Sequence, residues 1–169
     1  IEVDPPVPEF DGCAYRAPHL PACIFVARHQ PPDRRRFTLA HELAHLVLHD
    51  DLHDDNEAEA HEFAAELLVP RADFVPTLHA RPSLSLLLTL KITWGVSMWA
   101  LVRRLVDVER ITPNQATRLY QEMSARGWRK SEPGELRPEV PQLLREVVTA
   151  MRRDLGYTSE ELASLLREI

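Results

Sequence analysis

The sequence predicts an α+β fold that is mostly α, and three observations lead to it. Two short β-prone segments, Asp11 to Arg16 and Ile24 to Arg28, stand near the start, the second reading Ile-Phe-Val-Ala-Arg. From Phe37 onward, apolar residues recur at the three- and four-residue spacing of a helix face. Caps and breakers then cut this helical material into short pieces.

The chain has 169 residues, 44% hydrophobic and 27% charged, which fits one compact domain with a small annex. Its net charge of −6 argues against nucleic acid as a non-specific partner, because phosphates call for a basic surface. The richest apolar patch, Leu84 to Leu90, is too short to span a bilayer and is interrupted by Ser85 and Thr89, so no membrane association is expected. The chain opens at Ile1 with neither a methionine nor a signal-peptide pattern, so the expectation is a cytoplasmic fragment of a longer protein. Cys13 and Cys23 lack C-x-x-C spacing and are expected to be free thiols that pack as small apolar residues.

Ile1 to Phe10 is proline-rich and reads as an extended lead-in without regular structure. A turn at His19 to Pro21 separates the two strands. Pro31-Pro32-Asp33 breaks the chain, and Arg34 to Arg36 reads as a solvated basic run. A helix from Phe37 follows, with Thr38 as its cap and Leu39, Leu43, Leu46 and Val47 as its apolar set. The acidic stretch Asp50 to Asn56 ends it. The next helix runs from about Glu57 to Leu68, with Ala60, Phe63, Ala64 and Leu67 on its buried face, and Pro70 stops it. Further helices are expected at Ser83 to Lys91, at Met98 to Asp107 after the turn Trp94-Gly95-Val96-Ser97, and from the capping box at Thr112 to Arg126. The expected domains are 1–80, a helical subdomain 81–130, a linker 131–138 and a helical tail 139–169. The last tail helix is capped at Thr158-Ser159-Glu160-Glu161.

His41-Glu42-Leu43-Ala44-His45 places two imidazoles four residues apart, on one helix face, with a carboxylate beside them. Two histidines so spaced can reach one metal ion, and zinc lowers the pKa of a bound water to about 7. Glu42 is then the candidate general base. A catalytic zinc needs a third protein ligand and an open position. On the following helix, Glu57 shares the face of Ala60 and Ala64 and is the first choice; Glu59 is the alternative. His61 and His49 are candidates to orient a ligand, His49 lying one turn, about 6 Å, beyond His45. His53 falls in the acidic loop and is expected to be solvated. Manganese or iron in place of zinc is open at this stage.

Arg36 to His45, reading RFTLAHELAH, resembles the signature of the ImmA/IrrE family of metallopeptidases. Glu57 to Pro70, reading EAEAHEFAAELLVP, resembles the family's second motif, and the likeness covers roughly residues 10 to 130. His61 stands where the family usually has Asn or Asp, and Ala44 where Gly is common. The resemblance implies a small zincin-like domain, His41 and His45 as metal ligands, Glu42 as general base and a glutamate of the second helix as third ligand. It also implies a substrate: a partner repressor of the helix-turn-helix type, whose cleavage derepresses genes of mobile elements or stress responses.

In zincins a sheet edge beside the metal commonly pairs with an extended substrate, which makes Val26, Ala27 and Arg28 candidates for the substrate groove. Residues 83 to 107 outline a helix-turn-helix, but Arg103 and Arg104 are little positive charge for DNA, so packing or substrate docking is the expected role. Two other functions compete with proteolysis: a metal-binding regulator acting by protein contact, and a DNA-binding regulator using residues 83 to 107.

Overall fold

A computed structural model describes the chain except residues 6, 8, 50–54, 80, 130, 141 and 166–169 and the side chain of residue 144. His53 and most of the acidic stretch before Asn56 therefore lie outside the described residues. The fold is the mostly helical α+β arrangement expected from the sequence. Strands β1 (Glu2–Val3), β2 (Gly12–Tyr15) and β3 (Cys23–Ala27) form one sheet in the order β1-β3-β2. Helices α1 (Pro32–Leu48) and α2 (Asn56–Leu68) follow, then α3 (Arg71–Phe74), α4 (Leu84–Trp94), α5 (Met98–Asp107), α6 (Pro113–Ala125), α7 (Leu143–Asp154) and α8 (Ser159–Leu165).

The lead-in is not wholly irregular. Glu2 and Val3 pair in parallel with Val26 and Ala27. This places β3 in the middle of the sheet and corrects the expectation of an open edge there. Its backbone is engaged on both sides: the Val26 and Arg28 N–H groups donate to Ile1 and Val3, and the Ala27 N–H to Asp11. Val26 and Ala27 are buried, and Arg28 pairs with Asp4 at 3.7 Å. Hence Val26, Ala27 and Arg28 cannot add a peptide strand. Among the described residues, the strand beside α1 that is paired on one side only is β2.

Helix α1 begins at Pro32, five residues earlier than the apolar period suggests. Proline is favoured at the first helical position, where its missing N–H costs nothing, and Asp33 complements the helix dipole in the first turn. Thr38 is consequently a buried mid-helix residue rather than a cap. The three arginines are not merely solvated. Arg34 pairs with Asp11 and Arg35 with Glu2, both at 2.5 Å, while Arg36 donates to the Trp94 carbonyl at 3.2 Å. Arg36 also explains Gly95: the residue has φ +67°, and a Cβ there would run into the Arg36 guanidinium.

The buried face of α1 is also not the expected one. Leu39, Leu43 and Val47 are exposed, whereas Ala40 and Ala44 are buried. Ala60 and Ala64 of α2 are fully buried as well. Small residues on both helices allow a close approach of the backbones, which sets the spacing of the site. The main apolar core lies elsewhere, around Phe74, Leu87, Met98, Leu101, Leu105 and Met123 of α3 to α6. The caps are formed by Ser83, Ser97 and Thr112, the last in a full capping box. Thr158 and Glu161 exchange the reciprocal bonds of a capping box at the start of α8. Helices α4 and α5 meet at 99°, within the range of helix-turn-helix pairs. Arg104 is buried, paired with Glu66 and donating to the Val69 carbonyl at 3.0 Å. Among the described residues, no single helix is long and apolar enough to cross a membrane.

Candidate metal centre

His41 and His45 lie on the side of α1 that faces the first turn of α2. Their Nε2 atoms are 3.1 Å apart. The carboxylate of Glu57 reaches both, with Oε2 3.2 Å from His41 Nε2 and Oε1 3.4 Å from His45 Nε2. One ligand atom from each residue lies within 4.8 Å of the others. Zinc bonds of about 2.0–2.1 Å in tetrahedral geometry place ligand atoms roughly 3.3 Å apart. The donors therefore fit a single divalent ion, and two imidazoles plus one carboxylate is a catalytic type of donor set that leaves a position open. Glu57, not Glu59, meets both imidazoles.

Glu59 instead lies 3.2 Å from His49 Nε2, and His49 Nδ1 lies 3.0 Å from His45 Nδ1. His61 touches the ring of His41 edge-on at 5.3 Å between centroids and that of Phe37 at 5.0 Å. Desolvation of its ring, and then the neighbouring His41, hold the His61 imidazole below its ordinary pKa. That contact is through the ring face and edge; among the described residues the buried Nδ1 of His41 has no hydrogen-bond partner.

His41, Glu42 and Glu57 line a cleft of about 1430 Å3, whose far wall includes Trp99, Arg103, Trp128 and the irregular segment from Ser131 to Pro138. The matched segment is consistent with this geometry. Residues 3–106 match the family model described as Peptidase_M78, IrrE N-terminal-like domain. The chain belongs to that family. At family level it is a peptidase of the metalloprotease kind. No curated protein and no solved structure matches the chain.

Two features of the site had no place in the sequence reading. The first is Gly12 on β2. A Cβ at this position would lie 2.6 Å from Thr38 Cγ2, 2.9 Å from the Phe25 carbonyl oxygen and 3.5 Å from Glu42 Cγ. The glycine lets the sheet lie directly against the catalytic-type helix. Because the Phe25 carbonyl belongs to the central strand, it has little room to yield. Gly12→Ala is expected to cost about 1–3 kcal/mol through overpacking, read from the denaturant midpoint. A wild-type midpoint would contradict this account. A glycine beside a short β run was the available signal.

The second feature is a buried ion cluster. Lys91 Nζ lies 2.6 Å from Asp33 Oδ2 and 2.9 Å from Glu132 Oε2. Glu132 also accepts from the Met98 and Trp99 N–H groups at 2.8 and 3.2 Å, so it caps α5. A lysine inside the apolar run Leu84 to Trp94 was the only hint.

Glutamate substitutions separate the roles on α2. Glu57→Ala is expected to strip the metal from the purified protein, while Glu59→Ala retains it at stoichiometric loading with weaker affinity. Elemental analysis after dialysis decides; full metal content in the Glu57 variant would remove it from the ligand set.

Proposed function

We propose that this protein is a zinc-dependent endopeptidase acting in the cytoplasm on one or a few partner proteins. The expected target is a helix-turn-helix repressor, whose cleavage would derepress its genes. The observation that carries the reading is the convergence of His41, His45 and Glu57 on one point beside Glu42 and an open cleft. Two imidazoles and a carboxylate also accommodate manganese or iron, so metal analysis of protein purified from cells identifies the native ion.

Bound there, zinc supplies a water acidic enough to ionise near neutral pH and polarises the substrate carbonyl. The chain's own groups do the rest. Glu42 makes no hydrogen bond or ion pair among the described residues, so its carboxylate is free to take a proton from the attacking water. It then delivers that proton to the departing amine.

The substrate strand is assigned to β2. Ala27 donates to Asp11, so the pairs Cys13–Phe25 and Tyr15–Cys23 are the hydrogen-bonded ones by alternation. The N–H and C=O groups of Gly12 and Ala14 then point away from β3, toward the free edge. A peptide pairing there runs past Glu42, whose Cγ lies 3.5 Å from where a Cβ on Gly12 would stand. Recognition through backbone bonds requires an extended segment in the target, such as a loop or linker.

The test compares new protein N-termini in cells producing the wild type or Glu42→Gln. One or a few cuts confined to the wild type are the expected result. Identical N-termini in both, with metal bound in both, would favour a regulator that acts by contact.

A further inference from the structure

His49 is the residue at which α1 ends, with an extended backbone at φ −119° and ψ 111°. Its side chain is only 7% exposed, and both ring nitrogens are engaged. These contacts dictate where the protons sit. The Glu59 carboxylate can only accept, so His49 carries its proton on Nε2 and donates it at 3.2 Å. A neutral His49 then offers a lone pair at Nδ1. His45 must fill that contact by donating from its own Nδ1, 3.0 Å away. His45 Nε2 is thereby left without a proton. That is the atom facing His41 Nε2 at 3.1 Å and Glu57 at 3.4 Å. The reverse tautomer would place a proton where a ligand lone pair is needed.

We propose that Glu59 and His49 form a relay that positions His45, fixing its ring and its tautomer so that Nε2 is presented to the metal. Glu59 acts through His49 and is not itself a ligand. This deepens the metal-site reading above and rests on it. The two ligand histidines differ in this respect: among the described residues His41 Nδ1 is buried without a hydrogen-bond partner, whereas His45 Nδ1 meets His49. Helical spacing makes the device economical, since His49 follows His45 by four residues and covers the same face one turn on.

The experiment uses the full chain in three forms of readout. Nitrogen-15 NMR of the metal-free protein, above the imidazole titration range, reports the His45 tautomer. Competition with a chromophoric chelator reports zinc affinity, and thermal melting reports folding. In the wild type, His45 is expected to be protonated at Nδ1. His49→Phe is expected to abolish that preference and to weaken zinc binding roughly 10–100-fold without lowering the apo melting temperature. His49→Asn, whose side-chain oxygen can stand near the lost Nδ1, is expected to restore part of the affinity. Glu59→Leu is expected to weaken binding alone but to add little in the His49→Phe background, because both changes break one relay.

An affinity within about twofold of wild type in His49→Phe would overturn the proposal. So would a Glu59→Leu loss of equal size in both backgrounds, which would mark Glu59 as a direct ligand. If the wild type bound no zinc, the metal-site reading would fail separately. The NMR of the metal-free protein would still decide the relay: protonation at Nδ1 of His45 supports it, and protonation at Nε2 overturns it.

Discussion

Glu42→Gln is expected to reduce cleavage of the partner protein about 10²–10⁴-fold while leaving the metal in place. The carboxylate is one residue past His41 and lines the cleft, but it is not among the three groups that converge on one point. Glutamine keeps its size and nearly its helix propensity, so α1 should be undisturbed. What it loses is the ability to accept a proton. The loss should therefore fall on the chemical step, in kcat, with substrate affinity retained. Single-turnover cleavage of the partner named by the N-terminal survey, with elemental analysis of the same sample, reads both quantities. Wild-type turnover in the variant would sink the general-base assignment. Loss of metal together with activity would instead show that Glu42 holds the site together, which its lack of bonds to either histidine argues against.

The groups that converge at the site were legible because helical spacing is a local fact. His41 and His45 share a face by virtue of being four residues apart, and Glu57 shares a face with Ala60 and Ala64 for the same reason. The caps at Ser83, Ser97 and Thr112 were legible on equally local grounds. The errors came where a distant partner decides. Leu39, Leu43 and Val47 carry the apolar period of α1, yet the packed face belongs to Ala40 and Ala44. Helix contact there rewards small side chains more than apolar ones. The two residues of β1 have no strand signature of their own; their pairing with β3 across 24 positions creates the strand and moves β3 off the edge. Helical spacing makes His49 a candidate to orient a ligand, but which ligand it serves depends on its simultaneous contacts with His45 and with Glu59, ten residues away.

Lys91→Met is expected to cost about 3–5 kcal/mol, the typical result of removing one member of a buried ion cluster. Lys91, Asp33 and the Glu132 carboxylate are all nearly buried. With the ammonium gone, two carboxylates face each other in a space that excludes water. Asp33 keeps the Arg34 N–H at 2.9 Å, and Glu132 keeps two amides of α5, but among the described residues neither has a cation left. Desolvation alone works against the lysine's charge; its bonds to Asp33 and Glu132 outweigh that and raise its pKa, so the cation is present throughout the working range. For a chain of this size the loss corresponds to a melting shift of roughly 6–20 °C. The double variant Lys91→Met with Asp33→Asn should lose less than the sum of the two single changes, because one unpaired charge is then removed. The consequence extends to the cleft. Asp33 belongs to α1, Lys91 to α4, and Glu132 to the irregular segment that forms the far wall. Loosening the cluster frees that wall from the helix that carries His41 and His45. Weaker binding of substrate with unchanged zinc affinity, measured below the new melting temperature, is the expected sign. A change in stability under about 1 kcal/mol would show that the cluster is not what ties the two halves together.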